Sequence, residues 1–355
     1  MKMENFWDFS VWSGFNLAAV LLVSLLAANV LKKSIHFLQA SLIPTSVLGG
    51  GILIVVAGLY KLATGVNMFE TEFFGGDGIN TLELITYHTL ALGFIASAFK
   101  PSKTKLTKKR TVEIFNTGVT TVSTYLLQGI FGLAISIVAA LIVTDFFPAA
   151  GILLPFGYGQ GTGQALNYGG IFENEFGFEG GKSFGLTIAA LGFLSASIGG
   201  VIHLNIQKKL GRIKVLHKEE KALRSEDIQS DDEIPMQESI DKLTIQIALI
   251  AVAYMLAYLL MGALGALLPN MKSVIFGFNF LLGVLTATLV KLVMGWLKKK
   301  GVIKKEYTNS FLMTRASNFF FDIMVVAGIA AIRFSVLKDY WGIIIIMGVV
   351  GLVIT

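Results

Sequence analysis

Residues 146–172 read FFPAAGILLPFGYGQGTGQALNYGGIF, a stretch without a charge that is long enough to cross a bilayer yet composed unlike a spanning helix. Pro148 and Pro155 interrupt it, and glycines alternate through Phe156-Gly157-Tyr158-Gly159-Gln160-Gly161-Thr162-Gly163-Gln164. Each interior glycine destabilises a continuous helix by up to about 1 kcal/mol relative to alanine, so the spacing predicts a broken element. Irregular backbone at membrane depth persists only where protein or a water-filled cavity covers it, because lipid offers bare N–H and C=O groups no partner.

The rest of the chain supplies the membrane setting. Of its 355 residues 54% are hydrophobic and only 15% charged, against about 25% charged in soluble proteins. That is too little charge to coat a soluble surface. The 29 basic and 23 acidic residues give a net charge of +6, which in such a chain is first a topology signal and not a sign of nucleic acid. Cysteine is absent, which excludes a disulfide framework, a thiolate nucleophile and a cysteine metal site. Glu4 and Asp8 stand where a cleaved signal peptide would carry basic residues.

Charge-free runs occupy 9–31, 34–60, 84–99, 114–144, 183–207, 243–271, 273–290 and 340–355, and a further apolar stretch at 316–332 is broken only by Asp322. Basic residues cluster at 100–110, at Lys208, Lys209, Arg212 and Lys214, and at 291–305, so these loops are expected in the cytoplasm. Glu70, Glu72, Asp77 and Glu83 fall in one opposite loop, and Glu173, Glu175 and Glu179 in another. With the N-terminus outside, the spans alternate so that 146–172 must begin and end on the outer side. A re-entrant hairpin is expected there.

After a mixed-charge segment at 208–242, expected as a cytoplasmic linker, the pattern restarts. Phe9 and Leu243 open spans 234 residues apart, Gly49 and Gly283 share that offset, and Leu92-Gly93-Phe94-Ile95-Ala96 resembles Ala327-Gly328-Ile329-Ala330-Ala331. The expected fold is therefore an all-α polytopic membrane protein, with a first repeat over 1–207, the linker, and a second repeat over 243–355. Five spans per half invert the second repeat, an arrangement typical of secondary transporters that bind substrate near the midplane. The same offset carries the second repeat to about residue 441. The 355-residue chain is thus expected to be a truncated view of a longer protein, without its second hairpin and last helix.

The chemistry concentrates in the hairpin. Glycines let backbone approach a ligand, while Gln160, Thr162, Gln164 and Asn167 add neutral polar groups at membrane depth. This suits a dehydrated sodium ion with a small substrate. The expected substrate residues are Tyr158, Gln160, Gly161, Thr162, Gly163, Gln164 and Asn167; the expected sodium ligands are Gly157, Gly159, Thr162 and Asp322. The competing reading makes Gly157 with Gly161, and Gly159 with Gly163, small-residue packing faces. Asp322, a carboxylate inside a span, marks a functional site by default, or else pairs with Arg315 about two turns earlier. His36, His88 and His203 stand singly and read as satisfied histidines. Trp7, Trp12, Trp296 and Trp341 sit beside span ends as interfacial anchors.

The glycine stretch, with Gly192, Gly199 and Gly200 after it, resembles the bacterial sodium/glutamate symporter family, whose corresponding loop reads Gly-Gly-His-Gly-Thr. Leu42-Ile43-Pro44-Thr45-Ser46-Val47-Leu48-Gly49-Gly50 is similar to the opening of that family's second helix. Tyr158 and Gln160 stand where the family has glycine and histidine, and Gln164 replaces a small residue. The resemblance implies two inverted five-helix halves, sodium-coupled import of glutamate or a related acidic amino acid across the bacterial plasma membrane, and a homodimer moving in an elevator-like cycle. Na+ is the coupling ion and no other cofactor is expected. The alternative is a sodium-coupled carrier of another organic anion, of the dicarboxylate or citrate type. A channel ranks lower without rings of charge or filter repeats. An enzyme is not expected, because His-Glu-x-x-His does not occur and no pair of aspartates lies within the spans.

Overall fold

The computed structural model describes residues 5–100, 107–212, 233–235 and 240–355. Most of the linker expected over 208–242 lies outside these residues, as do Lys103, Lys105 and Lys214. The chain folds into α1 (Phe9–Ser34), α2 (His36–Ala40), α3 (Thr45–Thr64), α4 (Gly78–Phe99), α5 (Lys108–Ala140), α6 (Leu153–Gln160), α7 (Thr162–Phe176) and α8 (Gly181–Leu194). A π turn at Ser195–Gly199 leads from α8 into α9 (Gly200–Lys209). Then follow α10 (Lys242–Leu267), α11 (Lys272–Gly277), α12 (Asn279–Lys299), α13 (Ser310–Ala330) and α14 (Trp341–Ile354). Among the described residues eight helical stretches are long and apolar enough to cross a membrane: α1, α3, α4, α5, α8 with α9, α10, α12 and α13. The protein is an all-α multi-pass membrane protein.

The helices bury narrow stripes and leave apolar residues on their other sides, which is what a lipid solvent permits. In α1 the buried positions are Leu17, Leu21, Ser24 and Ala28, while Leu22, Val23, Leu26 and Val30 are exposed. In α10 the stripe runs through Gln246, Ile250, Ala253, Ala257, Met261 and Gly265. Helix ends carry local signals. Asp241 caps α10 by accepting the Leu243 and Thr244 amides, and Gly65 ends α3 at φ 76°. Helices of 26, 20 and 22 residues (α1, α3, α4) are followed by helices of 26, 21 and 21 (α10, α12, α13).

Two compact units form, and each draws on both halves of the sequence. One comprises Met1–Tyr87, Thr107–Lys214 and Asp322–Thr355; the other comprises His88–Leu106 and Val215–Phe321. The second unit packs Ile95, Phe99, Ile250, Ala253, Ala287 and Met313 into one cluster. The Ser317 hydroxyl donates to the Gly93 carbonyl at 3.0 Å, and Lys291 caps the end of α4 by donating to the Ala98 and Lys100 carbonyls, each at 3.0 Å. Lys242, fully buried, pairs with Glu233 at 2.8 Å. Glu233 also accepts from Asn309 at 2.6 Å, so the buried charge is hydrogen-bonded as well as paired.

In the first unit backbones approach one another closely. A Cβ on Gly132 of α5 would collide with the Gly151 carbonyl, and one on Gly151 with the Gly132 carbonyl. Gly118, also on α5, has nothing within 4 Å of such an atom. Gly151→Ala is expected to lower stability by about 1–3 kcal/mol through forced backbone separation, and Gly118→Ala to leave it unchanged or slightly raised. Thermal unfolding of the purified variants in detergent measures both; equal midpoints for the two would show that α5 is not held at that contact.

Candidate functional site

Segment 146–172 folds back on itself. Phe156 of α6 stacks on Tyr168 of α7 with ring centroids 3.9 Å apart and planes 10° from parallel. At the open end Phe147 meets Phe172 at 4.8 Å, while Phe146 meets Phe178 at 5.5 Å and Tyr340 at 5.3 Å. The two ends of the segment therefore meet in one aromatic cluster. The break between the helices falls at Gly161, whose φ of 76° and ψ of −165° are open to glycine and strained for any other residue. Both helices use it: its amide donates to the Gly157 carbonyl and its carbonyl accepts from the Ala165 amide, each at 3.2 Å.

α8 holds the hairpin from one side. A Cβ on Gly185 would strike the Ala165 carbonyl, and one on Gly157 would lie 2.9 Å from the Ala189 amide. α13 receives the tip. Thr162 is fully buried, its hydroxyl 3.5 Å from the Met324 carbonyl and its side chain against Gly328. Gly163 and Gln164 are buried, while Gln160 and Asn167 are half-buried.

An ion-pair ladder ties the open end. Lys182 pairs with Glu83 at 2.8 Å, its amide donates to Glu173 at 3.2 Å, and Arg333 reaches Glu173 at 3.4 Å. Tyr340, at this same end, has its hydroxyl pKa raised above the ordinary tyrosine value, first by burial and then by the charges of Glu179, Asp339 and Asp145.

The residues expected to hold sodium each have protein partners of their own. The Gly157 carbonyl already accepts from Gly161, and the Gly159 carbonyl accepts from Tyr125 at 2.9 Å. Asp322 lies on α13 close in sequence to Met324, but on another face. Successive helix residues turn by about 100°, which puts Asp322, Val326 and Ile329 on one side and Met324 and Gly328 roughly opposite. Contacts agree: Gly50 of α3 packs on Ile329 and the Val326 carbonyl, and Ser46 of α3 hydrogen-bonds the Asp322 side chain. Thr162 takes the opposite side. The side chains of Thr162 and Asp322 thus meet different faces of α13.

Tyr158 also has another occupation. Its hydroxyl donates to the Gly348 carbonyl and lies 3.0 Å from Ser195 Oγ, and its ring covers Gly351 and Gly192. It joins α6 to α8 and α14. Arg315, the alternative partner of Asp322, lies over the Phe311 ring at 5.1 Å. His88 Nδ1 is 2.7 Å from the Tyr254 hydroxyl, and His203 is 3.2 Å from Gln207. The residues that sequence reading passes over are Ser46, Tyr125, Met324 and Gly328. Ser46 and Gly328 lie in motifs quoted above, but nothing in the sequence gives their partners.

No protein-family model, curated protein or solved structure matches this chain. The site therefore has to be read from its own chemistry. It has two parts on α13: a neutral, packed contact with Thr162 at the hairpin tip, and a carboxylate hydrogen-bonded to Ser46 at the start of α3. Contacting residues couple energetically and separated ones add. Ser46→Ala and Asp322→Ala are expected to be non-additive in unfolding free energy by about 0.5 kcal/mol or more, whereas Thr162→Val and Asp322→Ala add within about 0.5 kcal/mol. A thermal-denaturation double-mutant cycle reads both couplings, and a large Thr162–Asp322 coupling would restore a shared site.

Proposed function

We propose that this protein is a sodium-coupled symporter importing glutamate or a related acidic amino acid, with the hairpin tip as its substrate site. The observation that carries the reading is the break at Gly161 beside fully buried Thr162. A helix interrupted at membrane depth and roofed by protein is how secondary transporters make ligand sites. α7 begins at Thr162, so the positive end of its dipole lies at the tip and favours an anionic group. The resemblance of the glycine stretch and of residues 42–50 to the sodium/glutamate symporters supplies the substrate class. The recurring helix lengths at an offset near 234 residues support an inverted repeat, and the basic loops support an outer N-terminus and a hairpin opening outward.

In this scheme the tip binds substrate without spending charge at membrane depth, and Asp322 takes the coupling cation at a separate point beside Ser46. An elevator-like movement of a homodimer in the bacterial plasma membrane completes the proposal.

The test is uptake into proteoliposomes by the purified protein, under an inward sodium gradient, with labelled glutamate, aspartate, citrate and succinate. Sodium should accelerate glutamate uptake over a potassium control. Thr162→Val keeps the shape and removes the hydroxyl, so it should reduce that uptake by roughly tenfold, the equivalent of about 1.4 kcal/mol. Equal rates in sodium and potassium for every substrate would sink the symporter reading; unchanged uptake by Thr162→Val would reduce the tip glycines to packing.

A further inference from the structure

A second concavity lies at the other end of α3, in the same unit as the hairpin. It has a volume of about 580 Å³ and is lined by Lys61 from the last turn of α3, by Asn67 and Glu70 from the turn that follows, and by Arg333 and Phe334 just beyond α13. This is the size of a small-molecule pocket. Its cationic groups are incompletely used. Lys61 is exposed, and its ammonium has no ion-pair partner among the described residues. Arg333 is held by Glu173 through Nη2 alone at 3.4 Å, and its Nε is buried with no hydrogen-bond acceptor.

A buried guanidinium N–H without an acceptor is costly, and such a group calls for an explanation. The planar fork of arginine matches a carboxylate, and a nearby lysine adds a point charge. Glu173 explains the position of Arg333 but leaves Nε unused. Among the described residues Glu70 is the one carboxylate lining the cleft, and it is hydrogen-bonded by Asn67 at 3.3 Å. We propose that the cleft is a binding site for a small organic anion, whose carboxylate is taken by Arg333 and Lys61. The inference does not rest on the transport reading: it concerns a different set of residues and requires no sodium.

The cleft contains its own reporter. Phe334 stacks on Trp341, with ring centroids 5.7 Å apart and planes 17° from parallel. With Trp7, Trp12 and Trp296 changed to Phe, the emission of Trp341 in phosphatidylcholine nanodiscs should respond saturably to glutarate in sodium-free buffer. It should not respond to glutaramide, the uncharged counterpart. Lys61→Gln, at an exposed position, should weaken glutarate binding about tenfold. Arg333→Lys keeps the charge while removing the fork and should weaken it by a similar factor, whereas Glu70→Gln should tighten it. Thr162→Val and Asp322→Ala should leave it unchanged.

No saturable response to glutarate, an equal response to glutaramide, or undiminished binding in Lys61→Gln would overturn the proposal. A response abolished by Thr162→Val and indifferent to Lys61→Gln would place the anion at the tip and also overturn it. Sodium-driven uptake is measured separately, so failure of the cleft leaves the transport reading standing, and the reverse holds as well.

Discussion

A helix can be interrupted inside hydrocarbon only if protein covers the interruption, and the architecture around Gly161 is organised by that requirement. At the break the regular hydrogen-bond ladder passes through Gly161, and in hydrocarbon the carbonyls and amides near it would find no water to turn to. α8 covers one side and α13 the other. Coverage this close requires backbone to approach backbone, which is why glycines recur where these helices meet: Gly157 against Ala189, Gly185 against Ala165, and Gly328 against Thr162. Small residues at helix contacts gain van der Waals packing that lipid chains would otherwise supply less well. The glycines that look so permissive in the sequence are mostly used for proximity, and Gly161 alone in the hairpin is used for its dihedral angles.

The open end of the hairpin is held by a different chemistry. Phe146, Phe147, Phe172, Phe178 and Tyr340 form edge and tilted ring contacts there, and the Glu83, Lys182, Glu173 and Arg333 ladder runs beside them. Rings in such geometries contribute about 0.5–1.5 kcal/mol per pair beyond their burial. Partly exposed ion pairs contribute less individually, since solvent and salt screen them. The aromatic contacts therefore supply most of the holding energy and the ion pairs set direction. The hairpin is clamped at its base by side chains and at its tip by backbone proximity.

Much of this was legible in the sequence, and the division has physical causes. Spans are legible because length and hydropathy are properties of a segment by itself: the charge-free runs at 9–31, 243–271 and 273–290 reappear as α1, α10 and α12. α4 starts six residues before the charge-free run at 84–99, because Glu83 is inside the helix and paired with Lys182. The glycine alternation pointed to a broken element. Which glycine carries the break, and which carbonyls are already occupied, was not legible, because Tyr125 and Gly159 meet only through packing between α5 and α6. That Asp322 and Thr162 meet different faces of α13 was not legible for a related reason. Proximity in sequence to a wall residue says little about which neighbour faces it. The periodicity of α13 can be computed, but its neighbours cannot.

That periodicity has a consequence for coupling. Between Asp322 and Ala330, α13 presents Val326 and Ile329 to Gly50 of α3, and Met324 and Gly328 to the hairpin tip. Gly50 and Gly328 are both filled contacts, in which added volume would collide with the neighbouring side chain. A helix packed on both sides without slack transmits a displacement as a rigid element, because interiors at this density do not absorb it locally. On the proposed reading, a cation at Asp322 and a substrate at Thr162 would have no common side-chain ligand but would share one support, α13. On that reading their linkage would pass through a shift or rotation of α13, and each ligand would bias the other only as far as it prefers one position of that helix. Loosening one face, by enlarging the gap between Gly50 and Ile329, would weaken the linkage while leaving the groups at both sites intact.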